Sequence, residues 1–256
     1  MAVLECTFPE LDAAGEALGV DLRRFPFAFP YFGGGVDRPG LYASVNASLS
    51  ARGLVHGSRF APELEDTLRL FGTGRLSVSM LGSAGERQLI ALAVFAQDRV
   101  VVGVQTSGGI RFDVLAEDGA VRALVGLLPP LAPAHGASVT VTESAAPAPR
   151  RVDEDFASAS YLHSTGGPSD QAGRDLEAAQ RILAMPRLGS GAFVVAEDGR
   201  HGQLGPSESV SWLDTDAGRY LVISDRGADG RLHVTYTPGD QAKLDHQLHR
   251  LLARFS

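Results

Sequence analysis

The segment WLDTDAGRYLVISDRGADGRLHVTYTPGD, Trp212 to Asp240, gathers carboxylates and guanidiniums around short apolar runs. Asp214 and Asp216 stand in a D-x-D arrangement, which in principle suits a metal ion or the general acid and base of a hydrolase. A metal needs further oxygen or nitrogen donors at a usable spacing, and the neighbouring residues supply none. The competing reading is local. Ser209–Leu213 and Arg219–Ser224 read as strands, so Asp214–Gly218 becomes a five-residue hairpin loop. There Asp214 can form an Asx turn, Gly218 can take the positive φ that closes the loop, and Arg219 can pair with Asp214 or Asp216. Asp225–Arg231, DRGADGR, reads as a second turn for the same reasons. We therefore assign Asp214, Gly218 and Arg219 to turn structure.

Other constellations also favour structural roles. YFGGGV, Tyr31–Val36, has the glycines of a phosphate loop but neither GK[ST] nor GxGxxG. No GxSxG is present to form a nucleophile elbow. His246 and His249 are three apart on a helical pattern without HExxH, off the stripe of Leu244, Leu248 and Leu251, and are expected to face solvent. His135, His163 and His201 fall in loops with no partner at a telling spacing. Cys6 reads as a packed thiol near a frayed end. Neither a catalytic residue, a metal site nor a cofactor is expected.

The elements that would carry a site can be read from periodicity. The first third is expected to be irregular, with helices in RPGLYASVNASLSARGL and APELEDTLRLFG, the latter started at Pro62 and stopped at Gly72. RLSVSML, RQLIALAVF, RVVVGVQ and IRFDVLA are strands. Their connections are too short for parallel crossovers, so they form antiparallel hairpins. GAVRALVGLLP closes this half as a helix. A Pro-, Ala- and Ser-rich bridge, 132–170, contains one candidate strand, ASVTVTE, and a stretch, Ala145–Asp170, expected to be mobile. Then AGRDLEAAQRILAM, four strands and the helix AKLDHQLHRLLARF repeat the programme. DRVVVGV (Asp98–Val104) aligns with GRYLVIS (Gly218–Ser224), and Leu124, Leu127 and Leu128 align with Leu248, Leu251 and Leu252. The reading is an α+β fold of two pseudo-symmetric halves, 1–131 and 171–256, each a helix, an antiparallel β-meander and a helix.

Composition narrows the function. The 256 residues carry a net charge of −7, which disfavours nucleic acid and anionic membrane surfaces. The most apolar runs are far shorter than the ~18–20 residues of a membrane span, and the N-terminus lacks the basic start of a signal peptide. One cysteine excludes an internal disulfide and suits a reducing cytosol. With no active-site signature, a sheet face is the natural place for a partner. Opposite Leu76, Val78 and Met80 lie Ser77, Ser79 and Leu81. Arg99, Gln105, Arg111 and Asp113 are expected at equivalent positions, with Arg87 at the end of the neighbouring hairpin loop. The competing readings are a plain solvated face, a hydrolase using the loop aspartates, and a dimerising scaffold.

The run LxxLxxFGxGRLSVSMLG, ALAVFAQDRVVVGVQ, LVGLLP, then GxFVVAEDGRHGQ, WLDTDAGRYLV, VTYTPGD and LxxLL resembles the EspG family of type VII (ESX) secretion-associated proteins of actinobacteria. The resemblance runs from about Ala43 to the end. It implies a cytosolic chaperone, monomer or homodimer, with two α+β halves around central antiparallel sheets and no cofactor. Its implied partner is the helical tip of a PE–PPE-like heterodimer or another secreted helical hairpin, kept soluble and delivered for export. Substrate contacts vary across that family, so regions carry over and residues do not.

Overall fold

The computed structural model describes residues 4–30, 37–143, 170–198, 204–228 and 230–255. YFGGGV, His163, His201 and nearly all of Ala145–Asp170 lie outside them. The chain opens with strand β1 (Leu4–Thr7) and helix α1 (Phe8–Leu18), where the sequence led us to expect irregular structure. Thr7 and Glu10 explain the difference. The Thr7 hydroxyl accepts from the Glu10 N–H at 3.3 Å, and the Glu10 carboxylate accepts from the Thr7 N–H at 2.8 Å. This reciprocal cap starts a helix whose Leu11, Ala13 and Ala14 are buried. Cys6 is correspondingly not at a frayed end. It is buried in β1, and burial, then the nearby Glu10 carboxylate, push its thiol up to about 12.

Helix α2 (Arg38–Ala51), the hairpin β2–β3 (Val55–His56, Arg59–Phe60) and α3 (Pro62–Thr73) follow. Pro62 opens α3 as expected, while its end falls at Gly74, two residues beyond Gly72. Then come β4 (Leu76–Ala84), β5 (Arg87–Ala96), β6 (Arg99–Gln105), β7 (Gly109–Ala116), a 3₁₀ turn and α4 (Ala120–Val125). The remainder is β8 (Val139–Glu143), α5 (Asp170–Leu183), β9 (Arg187–Asp198), β10 (Leu204–Thr215), β11 (Gly218–Arg226), β12 (Leu232–Pro238) and α6 (Gln241–Leu252).

Ten strands form one antiparallel sheet in the order β1-β7-β6-β5-β4-β9-β10-β11-β12-β8. Read outward from the β4–β9 junction, each side is a four-strand meander closed by a strand that precedes it in the chain, β1 on one side and β8, from the bridge, on the other. This order is what two copies of one unit, joined through β4 and β9, would produce. β4 and β9 pair from Leu76 opposite Glu197 to Ala84 opposite Gly189.

Helices cover both faces unevenly. On one face α4 and α6 place Val121, Leu124, Leu244 and Leu248 against Val78, Met80, Phe193 and Trp212. On the other, α1–α3 bring Leu11, Leu64, Leu68 and Phe71 onto Leu92, Val94, Val101 and Phe112. On that same face α5 packs Ala179 and Ile182 with Val141, Leu213, Tyr220 and Tyr236. Each such large apolar side chain stabilises the fold by roughly 1.5–3 kcal/mol relative to exposure.

Helix α2 is held differently. Its described buried residues are Val45 and Leu49 alone, and polar straps fasten it to α1 at both ends. Arg38 bonds Asp12 at 2.7 Å and Glu16 at 2.5 Å, and Arg23 also reaches Asp12. At the other end Glu10 accepts from Ser48 and Arg52, both at 2.7 Å. Between the straps lies a cleft of about 420 Å³ lined by Ala13, Ala17, Val45, Leu49 and Phe60. Burial opposes the Asp12 charge, but hydrogen bonds from Arg38 and Arg23 outweigh it and hold the carboxyl below its ordinary range. The stabilisation from Asp12 is therefore fully present above the unfolded carboxylate value of ~3.9. It is lost as pH falls through the lower folded value. In urea titrations, Asp12→Asn is expected to lower the midpoint most at neutral pH, and the gap to wild type to close in strong acid.

Candidate functional site

The aspartates that could have done chemistry are engaged in structure. Asp214 is 2% exposed and Arg219 is fully buried. They form a two-pronged pair, Nε to Oδ1 at 2.6 Å and Nη2 to Oδ2 at 2.8 Å. The hairpin is tighter than the expected five-residue loop. The β10–β11 ladder continues to Thr215 opposite Gly218, leaving Asp216 and Ala217 as the turn. Thr215, not Asp214, caps it: its hydroxyl accepts from the Ala217 N–H at 3.2 Å and donates to the Gly218 carbonyl at 2.9 Å. Gly218 has φ +116°, and a Cβ there would lie 2.7 Å from the Ala134 nitrogen. Among the described residues no group of three His, Cys, Asp or Glu is placed to hold a metal ion. His246 and His249 are exposed on α6.

Strand alternation divides the predicted partner-facing residues between two faces. Ser77, Ser79 and Leu81 lie on the α1–α3/α5 face, and cross-strand pairing puts Arg99 and Gln105 there too. Arg87, Arg111 and Asp113 lie on the α4–α6 face. There Arg87 donates to the Leu127 carbonyl at 2.8 Å, and Arg111 approaches Asp113 at 3.8 Å. The expected solvated face is also drier than the sequence suggested. Ser77 and Ser79 are 8% and 6% exposed. Their hydroxyls reach the Ala196 and Val194 carbonyls of β9 at 3.4 Å. Short side chains in the middle of a wide sheet sit below their larger neighbours and bond to the adjacent strand.

Among the described residues, what the pairing of β4 with β9 leaves is a trough over which no helix lies. On the α1–α3/α5 face, α3 lies on β5 and β6 while α5 lies on β8. The strands between them present a strip of small and apolar side chains. Across it run Ile90, Leu81, Ala192 and Ser211, and beside them Ser79, Val194 and Ser209. Leu81, Ile90 and Val194 are half-buried, Ser207 and Ser209 exposed. Leu188, at the end of the trough, is 50% exposed, one of two large hydrophobic residues so exposed among those described. The β9 and β10 contribution was not singled out from the sequence. Its signal is the alternation of Ser207, Ser209 and Ser211 with Val210 and Trp212. Among the described residues the strip is partly apolar and offers contact area to a macromolecule.

The sequence profile of the EspG family matches residues 7–250. The chain belongs to the EspG family. The match takes in both halves of the sheet and begins at the α1 cap, well before Ala43. This EspG-family chain is also similar to the Mycobacterium tuberculosis type VII secretion system chaperone EspG5, solved in complex with a PE25-PPE41 dimer. The likeness has a TM-score of 0.65 at 13% identity and covers 98% of this chain and 96% of that one. No curated protein matches the chain in sequence. At this identity the shared feature is the fold: mixed helices around one large antiparallel sheet. No helix among the described residues is long and apolar enough to cross a membrane.

Proposed function

We propose that this EspG-family chain is a cytosolic, non-enzymatic chaperone of a type VII secretion system. It receives the exposed apolar tip of a PE–PPE-like helical heterodimer in the trough over β4, β9 and β10. The trough is the observation that supports this reading: a half-exposed strip holding Leu81, Ile90 and Val194 between α3 and α5, which no helix among the described residues covers. The solved relative's PE25-PPE41 complex supplies the class of client. An apolar helical tip in water self-associates, because large apolar patches do. Small serines and alanines on the floor let a bulky tip approach the sheet closely, and the half-buried aliphatic residues supply the apolar contact. A stable complex of ordinary size buries about 1,200–2,000 Å² in total.

Ser209→Arg tests this at an exposed position, where the change leaves the core untouched. Co-expressed with a PE–PPE-like heterodimer encoded beside it, the wild-type chain is expected to co-purify with that dimer and keep it soluble. Ser209→Arg and Val194→Glu are each expected to weaken capture by about tenfold or more, as for a charge placed at the centre of an apolar contact. Capture at wild-type strength by both variants, with their unfolding midpoints unchanged, would remove the trough as the client site.

A further inference from the structure

The cleft between α1 and α2 has the makings of a small-molecule site. Ala13 and Ala17 of α1, Val45 and Leu49 of α2, and Val55 and Phe60 of the β2–β3 hairpin give it apolar walls. Alanines at a helix contact would let the two helices close on each other. Here Arg38 and Arg52, bonded to Asp12 and Glu10 of α1, hold α2 in place, and about 420 Å³ stays open between them. Pockets for small ligands run from roughly 300 to 1,000 Å³. The polar groups that line the cleft differ in what they have left to offer. Glu16 is engaged, accepting from Arg38 and from the Tyr42 hydroxyl. Asn46, Ser58 and Arg59 are exposed, and their side chains have no hydrogen bond or ion pair among the described residues. All three can donate, and Arg59 adds a full positive charge.

We propose that this cleft binds a single-chain aliphatic carboxylate of medium length, its chain between α1 and α2 and its head on Arg59. The occupant follows from the chemistry of the lining. Apolar walls with three donors at the mouth, one of them an uncompensated guanidinium, complement an apolar body that ends in an anion. A carboxylate presents two oxygens to the guanidinium fork. A helical partner, about 10 Å across with its side chains, would have to part α2 from α1 against the ion pairs at both ends. An extended alkyl chain enters without moving either helix. The described residues on either side of 31–36 are anchored elsewhere on α1: Phe29 packs its ring on Phe8 at 5.0 Å, and Arg38 bonds Asp12. Phe8 and Asp12, four apart, share a flank of the helix different from the one that carries Ala13 and Ala17.

Calorimetric titration of decanoate into the full chain, below the micelle concentration, tests the site. Decanol and decyltrimethylammonium serve as the neutral and cationic chains. Decanoate is expected to bind about tenfold or more tightly than either, and to shift the methyl NMR signals of Ala13 and Ala17. Arg59→Glu is expected to weaken decanoate by about tenfold or more and to leave decanol unchanged. Ala17→Trp fills the cleft and is expected to abolish binding of decanoate and decanol alike. Both positions are exposed, so unfolding midpoints are expected to stay at the wild-type value. A wild-type chain that takes up no decanoate, a comparator chain bound as tightly as decanoate, or either variant binding decanoate at wild-type strength overturns the proposal. Client capture by the trough is read separately, so either idea can fail alone.

Discussion

Arg219→Met is expected to destabilise the protein by about 3–5 kcal/mol, because it leaves the Asp214 carboxylate buried with no partner. The pair sits at 0% and 2% exposure, so water cannot replace the lost guanidinium. Arg219 also fastens the chain that leaves α4. Its Nη2 donates to the Pro129 carbonyl at 3.0 Å. Its backbone accepts from Ala134 at 3.0 Å and donates to Ala132 at 2.9 Å. Asp214→Asn is expected to cost less, since a neutral amide can still accept one of the two bonds. Combining Arg219→Met with Asp214→Leu is expected to recover part of the loss, because removing both charges avoids the orphaned one. Urea midpoints of the three variants give the comparison. An Arg219→Met midpoint equal to wild type would mean the pair contributes nothing to holding β10, β11 and the 129–134 segment together.

Gly191→Ala and Gly82→Ala are expected to be damaging single-methyl changes at the sheet's central junction. A Cβ at Gly191 would lie 2.2 Å from the far end of the Trp212 ring and 2.5 Å from the Leu81 carbonyl. Gly82, directly opposite on β4, is equally confined, 2.7 Å from the same ring. The two glycines make the floor on which the buried indole lies, with Phe193 packed at 5.2 Å between ring centres. Overpacking of this kind costs about 1–3 kcal/mol, and the backbone contacts, the Leu81 carbonyl at Gly191 and the Ser190 carbonyl 2.4 Å away at Gly82, push both to the upper end. Trp212→Phe is expected to rescue Gly191→Ala better than Gly82→Ala, because the ring is the nearest obstacle at Gly191, whereas at Gly82 it is the Ser190 carbonyl, which shrinking the ring does not move. Thermal unfolding of the four variants, with Trp212 fluorescence as the probe where it is retained, reads the difference.

Local rules explain which elements were legible. Alternating residues between short turns, such as Gln97–Asp98 between β5 and β6, specify hairpins without any long-range information. The leucine stripe of α6 identifies both the helix and its buried face. The N-terminal strand and helix escaped that treatment because periodicity over so short a segment is weak. Their real signal was the Thr7-Phe8-Pro9-Glu10 cap. The Asp214–Gly218 loop was read two residues too wide at its first strand and one at its second, because Asp is a turn former by propensity. The buried Arg219 reverses that preference and keeps Asp214 in the strand.

By itself the sequence determined the antiparallel meanders, most of the helices that flank them, and the family. These follow from neighbours in the chain, where spacing alone sets the chemistry. Only the tertiary structure decided that β4 meets β9, that Ser77 and Ser79 bond across that junction, and that Arg87, Arg111 and Asp113 turn to the opposite face. A strand's two faces alternate strictly, but which of them a helix covers depends on packing between segments far apart in sequence. The trough exists because α3 buries its apolar stripe on β5 and β6 and α5 packs on the β8 side, leaving no helix among the described residues over the β4–β9 junction.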